Sequence, residues 1–116
     1  MKSTNVILEK SYNFALRTIK LYIHLRKQKV EWELLIQLLK SGTSIGANVE
    51  EAVGAQSKSD FIHKIGIAYK EARETSYWLW LFKDANIMES KLSQSFLSDS
   101  EELKKILASI LKTSKP

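Results

Sequence analysis

The residues of this chain that could perform chemistry are few. The sequence has two histidines, and His63 follows Asp60 at the spacing of a carboxylate–histidine metal motif. Di-metal helical bundles need two Glu-x-x-His motifs and two further glutamates on facing helices, whereas this sequence offers one pair, with the shorter aspartate. It has no cysteine and no glycine-rich phosphate loop. We therefore predict no catalytic site, no metal and no cofactor, and a protein that is not an enzyme.

Acidic side chains gather at four positions, Glu50, Glu51, Glu71 and Glu74. Lys70 precedes Glu74 by four residues, a spacing at which opposite charges attract on a helix surface. The favoured interpretation is a salt-linked surface between helices, because nothing in the sequence fixes the separation of two carboxylates for hydrolysis. Whether these residues are more than structural stays open at this point.

Basic residues concentrate in the first third of the chain. Residues 1–40 hold eight Lys and Arg against three acidic residues, whereas residues 41–116 hold ten of each. Most of them form one stripe at helical spacing, together with a histidine: Lys10, Arg17, Lys20, His24 and Lys27. Arg26 and Lys29 extend this stripe at the end of the helix. Such a surface binds phosphate backbones through counterion release, without reading sequence. We predict RNA or DNA binding here, and the alternative is a solvated helix face that serves solubility.

Helices must position these side chains. The only proline is Pro116, and apolar residues recur at steps of three and four. The pattern predicts an all-α protein, an antiparallel up-down-up-down four-helix bundle that forms one domain over residues 1–116. We expect its helices at about residues 4–27, 30–53, 58–85 and 89–112. Asn86 should end the third helix in a left-handed conformation, and the segment Ser98–Asp99–Ser100 could split the fourth.

The first helix carries two apolar lines, one more than a monomer needs. The line Leu8, Tyr12, Ala15, Ile19 and Tyr22, flanked by Leu16 and Ile23, is predicted to face the core. The second line lies about 130° away, and the third helix shows a similar excess. We expect this excess to form an interface between copies of the chain, made of Ile7, Phe14, Leu21, Leu25, Trp78 and Leu81. The alternative is a wide core that buries these side chains within one copy.

Gly42 and Gly46 lie one turn apart on the expected core face of the second helix. Each costs about 1 kcal/mol of helix propensity relative to alanine, which is tolerable where a neighbouring helix approaches closely. We predict close helix packing at these glycines. A ligand groove lined by small residues is the alternative.

Two segments, SGTSIGANVEEA at 41–52 and SKSDFIHKIGIAYKEARETSYWLWLFKDA at 57–85, closely resemble the four helix bundle protein family. Its members are also called 23S rRNA intervening-sequence proteins, and the resemblance extends over nearly the whole chain. It implies a bacterial protein that assembles as a homopentamer, encoded within rRNA genes or alone. A relative with a similar fold, the accessory variability protein of diversity-generating retroelements, partners a reverse transcriptase and nucleic acid. For the family itself the resemblance implies no reaction.

The remaining expectations concern location and partners. The first residues, MKSTNVILEK, lack the apolar run of a secretory signal, and no apolar stretch approaches the roughly 18 residues of a membrane span. We therefore expect a cytoplasmic protein without membrane contact. Its expected partners are copies of itself, RNA or DNA, and an unidentified protein.

Overall fold

The computed structural model describes residues 2–114, with side chains from Thr4 onward. It contains four α-helices: α1 (Lys2–Lys27), α2 (Trp32–Val53), α3 (Lys58–Asp84) and α4 (Ser90–Ser114). Each helix runs antiparallel to the next, and the bundle measures 46 × 20 × 19 Å. The predicted all-α four-helix bundle is confirmed. α2 begins two residues later than expected, and α4 is continuous through Ser98–Asp99–Ser100.

Local signals in the sequence set the ends of the helices. The Ser57 hydroxyl accepts a hydrogen bond from the backbone N–H of Asp60 at 3.0 Å, which satisfies one of the free donors at the start of α3. Asn86 has a φ of 59° just after α3, as expected of a residue that reverses the chain. Lys29 has a φ of 63° in the turn between α1 and α2. Three short connections thus fold the helices back on one another.

The helices follow one another around the bundle in chain order. α2 packs along α1 and α3, α3 also packs along α4, and the α1–α4 contact is the least extensive of the four. Each of the other three helices turns one apolar stripe inward, as the recurrence of apolar residues at steps of three and four predicts, although Val53 at the end of α2 is 48% exposed. Leu35, Leu38 and Val49 of α2 are buried, and α3 and α4 bury their stripes in the same way: Ile65, Ala68, Ala72, Thr75, Leu79, Phe82, Phe96, Leu103, Leu107 and Ile110.

The prediction for α1 is wrong for most of its residues, because its two apolar lines largely exchange places; of the expected core line, Leu8 and Tyr22 are half-buried against the core. The side chains expected between subunits are core residues of a single chain: Ile7, Phe14, Leu21 and Leu25 are 0–5% exposed. The expected core residues Tyr12, Leu16, Ile19 and Ile23 are instead exposed, Tyr12 by 67%. On α3, Trp78 packs partly against the core and Leu81 is exposed, so these two stay available for a contact between copies.

Helix approach explains the exchange. The buried line of α1 contains Ser11 and Thr18, two small polar residues that do not fit the apolar pattern of a core stripe. They lie opposite the two glycines of α2: a Cβ at Gly42 would sit 2.8 Å from Thr18 Cγ2, and one at Gly46 would sit 3.1 Å from the carbonyl oxygen of Ser11. The larger side chains of the other line could not enter so narrow a space.

The close approach predicts opposite effects for substitutions at three glycines. Gly42→Leu and Gly46→Leu should each lower the free energy of unfolding by about 1–3 kcal/mol, because the new side chain must push α1 away. Gly66→Ala should raise it by about 0.5–1 kcal/mol, since no atom lies within 4 Å of a Cβ at that helical position. Urea denaturation measures all three. A leucine variant as stable as the wild type would show that α1 and α2 are not tightly packed there.

Candidate interaction surfaces

An uncovered apolar surface runs along α1. Tyr12, Leu16, Ile19 and Ile23 follow one another at steps of four, three and four, and they are 42–67% exposed. We call these four residues the α1 outer face. A run of large apolar side chains along one helix exceeds the scattered apolar residues of an ordinary surface. It is therefore a candidate for contact with another molecule.

A groove continues the α1 outer face between α1 and α2. It encloses about 740 Å³ and is lined by Leu8, Tyr12 and Ala15 of α1, by Thr43, Gly46 and Ala47 of α2, and by Asn5, Glu9 and Glu50 at its rim. The groove exists because the residues of α2 at this point are small. Its lining shows that the α1 outer face lies on the side of α1 that adjoins α2.

A second uncovered apolar region lies on α3, and sequence reasoning found only part of it. Tyr77, Trp80 and Leu81 are 40–58% exposed, whereas Trp78 packs edge-on against Phe82 with the ring centroids 6.4 Å apart. Tyr77 could have been noticed as part of the aromatic run at 77–82. Trp80 is part of the apolar excess expected on the third helix, whereas Tyr77 was missed because three faces of the helix are apolar in this segment.

The four grouped glutamates divide into two environments. Glu51 forms an ion pair with Lys64 at 2.7 Å, which joins α2 to α3 and raises the pKa of Lys64 through that hydrogen bond. Glu74 accepts a hydrogen bond from the Trp78 indole at 3.3 Å. Burial raises the pKa of Glu71, and the neighbouring Glu74 raises it further. Among residues 4–114, neither Glu71 nor Glu74 forms an ion pair.

The basic stripe of α1 faces α4 over its first half. The Arg17 guanidinium lies 4.0 Å from the centre of the Phe96 ring and donates hydrogen bonds to Asp99 at 2.8 Å and to Ser95 at 2.7 Å. Lys10 approaches Glu102 at 3.4 Å. Two of the seven candidate nucleic-acid residues thus contact carboxylates of the same chain. The α4 partners were missed because the segment around Asp99 suggested a helix start.

The second half of the stripe is exposed. Lys20, His24, Arg26, Lys27 and Lys29 all lie on the surface. Arg26 lies near the Tyr22 hydroxyl, and His24 lies 3.3 Å from Gln28, but none of these five forms an ion pair with a described residue. Residues 20–29 contain no acidic residue, so the end of α1 is a local concentration of positive charge.

Over residues 2–114, no group of three or more His, Asp or Glu side chains lies close enough together to hold a metal ion. His63 is exposed in the first turns of α3, away from a second histidine. None of the four helices is both long enough and apolar enough to cross a membrane.

Comparisons with known proteins identify relatives of this chain. The family model described as 23S rRNA-intervening sequence protein matches residues 3–109. A solved structure from Bacteroides thetaiotaomicron, described as a protein of unknown function from the S23 ribosomal protein family, is 45% identical. The match covers 95% of this chain and 98% of that one, with a TM-score of 0.92. The search of curated proteins found no significant match.

The Arg17 contacts predict that this residue stabilises the bundle. Arg17→Lys should lower the free energy of unfolding by about 0.5–1.5 kcal/mol, because an ammonium cannot bond Asp99 and Ser95 while it stacks on Phe96. Lys10→Ala is the control, because Lys10 also lies where α1 contacts α4. It should cost less than about 0.5 kcal/mol, since its ion pair is long and exposed. Equal losses in urea denaturation would contradict a special role for Arg17.

Proposed function

The chain belongs to the 23S rRNA-intervening sequence protein family, and we propose that it is a non-enzymatic, homo-oligomeric scaffold that binds nucleic acid. The pentameric state is what the family resemblance implies. The nucleic acid, RNA or DNA, is held by its backbone at the basic end of α1. The observation that carries this proposal is the α1 outer face, which one copy of the chain leaves in water.

Assembly is supported by the cost of that exposure. A large apolar side chain gains about 1.5–3 kcal/mol when it goes from full exposure to full burial, and the four residues of the α1 outer face, at 42–67% exposure, have roughly half of that still to gain. Copies of the same chain are the simplest molecules that could cover it, since most soluble oligomers are made of identical subunits. The apolar line of α1 that is available for assembly is thus the one that was expected in the core, and the other line is buried within one copy.

Nucleic-acid binding is supported by the exposed part of the basic stripe. Lys20, Arg26, Lys27 and Lys29 are exposed and have no carboxylate partner among the described residues. In a ring of subunits that share one orientation, these residues from every copy would collect at one end. Phosphates bound there would release counterions, which favours binding of any sequence.

One observation favours a second candidate function. Arg17 and Lys10 already contact Asp99 and Glu102, so that part of the stripe attaches α4 to α1. If the remaining charges serve solubility alone, the protein is a structural assembly or a binding module for another protein. The two candidates differ in whether the wild-type chain binds nucleic acid at low salt.

Assembly predicts a definite mass in solution. Light scattering at micromolar concentration should report about five times the mass of the 13.3 kDa chain. The mass should stay constant on moderate dilution, as it does for a closed assembly. A monomer at these concentrations would contradict the proposed assembly.

Nucleic-acid binding predicts a steep salt dependence that two lysines control. In an anisotropy titration with single-stranded RNA and with duplex DNA, affinity should fall as salt rises and should depend little on sequence. Lys27→Gln with Lys29→Gln should reduce the slope of log affinity against log salt by about 0.7–0.9 for each charge that contacts a phosphate. The control is Lys105→Gln with Lys112→Gln, an equal charge change near the opposite end of the bundle.

Two results would contradict this part of the proposal. If the wild type fails to bind either nucleic acid at low salt, the structural assembly becomes the better interpretation. If both double variants weaken binding equally, the effect comes from net charge and the end of α1 is not the binding surface.

A further inference from the structure

Two surfaces of this chain have exposed apolar residues and charged borders of mixed sign: Glu9 lies beside the α1 outer face at the groove, and Lys70 lies beside the carboxylates of α3. The α1 outer face is bordered by Lys20, which has no ion-pair partner among the described residues. On α3, Glu71 and Glu74 border Trp78 and Leu81, and we call these four residues the α3 outer edge. Apolar centres with complementary charged borders are the usual composition of a protein interface.

The two surfaces lie on neighbouring sides of the bundle. The α1 outer face adjoins α2, because Tyr12 lines a groove together with Gly46 of α2. The α3 outer edge is also on the α2 side of its helix, since Glu71 lies two turns beyond Lys64, which pairs with Glu51 of α2. The side of α3 that faces α4 is a different side of the helix, because it carries Ser76, whose hydroxyl oxygen lies 2.8 Å from that of Ser100 in α4. Neighbouring sides of a square bundle face directions about 90° apart.

A contact of one surface with itself would leave the other in water. Two copies joined through their α1 outer faces would keep both α3 outer edges exposed, and the reverse arrangement would keep both α1 faces exposed. A head-to-tail contact covers both surfaces with one kind of interface. Because the two sides are about 90° apart, each copy turns relative to the last, and such a series closes after roughly four or five copies.

The positions of the residues along the bundle also agree. Thr18 lies beside Gly42, and Lys64 beside Glu51, so a residue of α1 is level with the residue of α3 about 55 positions later. The contacts through α4, Arg17 with Asp99 and Ser100 with Ser76, instead make a residue of α1 level with the residue of α3 about 60 positions later. Rotation about an axis parallel to the bundle preserves this level. Within about one to two helical turns, Lys20 then meets Glu74, and Ile23 meets Trp78 and Leu81.

We propose that the α1 outer face of one copy docks on the α3 outer edge of the next, with Lys20 opposite Glu74. This inference rests on the proposed assembly and names the two surfaces that form it. The arrangement gives the α3 carboxylates a second cation, in addition to Lys70 of their own helix. In the single chain, burial and mutual repulsion disfavour the charged form of Glu71, and a neighbouring lysine would reverse that effect.

Two variants that each lose one surface test the arrangement. Ile23→Asp places a charge in the α1 outer face, and Leu81→Asp places one in the α3 outer edge. Each variant alone should be largely monomeric in light scattering, because every contact in a ring needs both surfaces. When mixed, they should form a 1:1 dimer, in which the intact face of one holds the intact edge of the other.

The control is Val6→Asp. Val6 is 41% exposed on α1 but lies about 80–140° around the helix from the residues of the α1 outer face. This variant should assemble like the wild type, which shows that one exposed aspartate on α1 does not disrupt assembly in general. Circular dichroism should give the same helix content for all three variants.

Other outcomes separate this inference from the proposed assembly. If Ile23→Asp is monomeric but Leu81→Asp assembles normally, the α1 faces meet one another and the inference is overturned. If both variants assemble like the wild type, another surface is used, and assembly itself stands. A monomeric wild type overturns both.

A charge exchange tests the register independently. Lys20→Glu and Glu74→Lys should each weaken assembly, so that the concentration of half-dissociation rises several-fold. The double variant K20E/E74K should restore it, because every contact then contains the same pair with its charges reversed. Failure of the double variant to recover would overturn the pairing of Lys20 with Glu74.

Discussion

The close approach of α1 to α2 is the constraint on which the arrangement of this protein depends. At Gly42 and Gly46, α2 has no side chain toward α1, and the backbone of Ser11 comes within contact distance. Packing this tight excludes large side chains from the line between them, so α1 turns Thr18 and Ser11 inward. The rotation of α1 about its axis follows from that contact. It places Ile7, Phe14, Leu21 and Leu25 in the core, and it leaves the longer apolar side chains facing water.

The same rotation decides what the charges of α1 can do. Once Thr18 faces α2, Arg17 lies next to α4, where Asp99 and the Phe96 ring hold its guanidinium. The α1–α4 contact is the least extensive in the bundle, so polar contacts there add to few apolar ones. The lysines nearer the end of α1 lie beyond the reach of these α4 carboxylates. One basic stripe in the sequence therefore becomes two groups in the fold, one that joins helices and one that faces solvent.

The sequence predicts the helices, their order and three of their four inward faces. Proline-free periodicity is enough for α2 and α4, whose apolar residues fall mainly on one stripe. On α3, which is apolar on several faces, the stripe through Ile65, Ala68, Ala72 and Leu79 still keeps the spacing of three and four residues. Periodicity fails on α1, where two lines are apolar and hydrophobicity favours the one with Tyr12 and Ile19. The distinguishing fact is the pairing of small residues across two helices, Thr18 with Gly42 and Ser11 with Gly46. That pairing depends on the register between the two helices, and the spacing of apolar residues within one helix does not predict this register. The α4 partners of Arg17 and Lys10 are hidden for the same reason.

A consequence for function follows from the separation of apolar and charged surfaces on α1. Apolar contacts hold a subunit interface with little dependence on salt, whereas phosphate binding weakens as salt rises. On α1 the two kinds of side chain occupy different levels: the α1 outer face ends at Ile23, and the exposed basic residues other than Lys20 lie beyond it and continue to Lys29. In the proposed ring, the subunits would be joined along the middle of the bundle while the basic ends meet at one rim. Repulsion among those ends opposes assembly, and bound phosphates would relieve it. Nucleic acid would then stabilise the oligomer that binds it, although the two surfaces share no residue beyond Lys20.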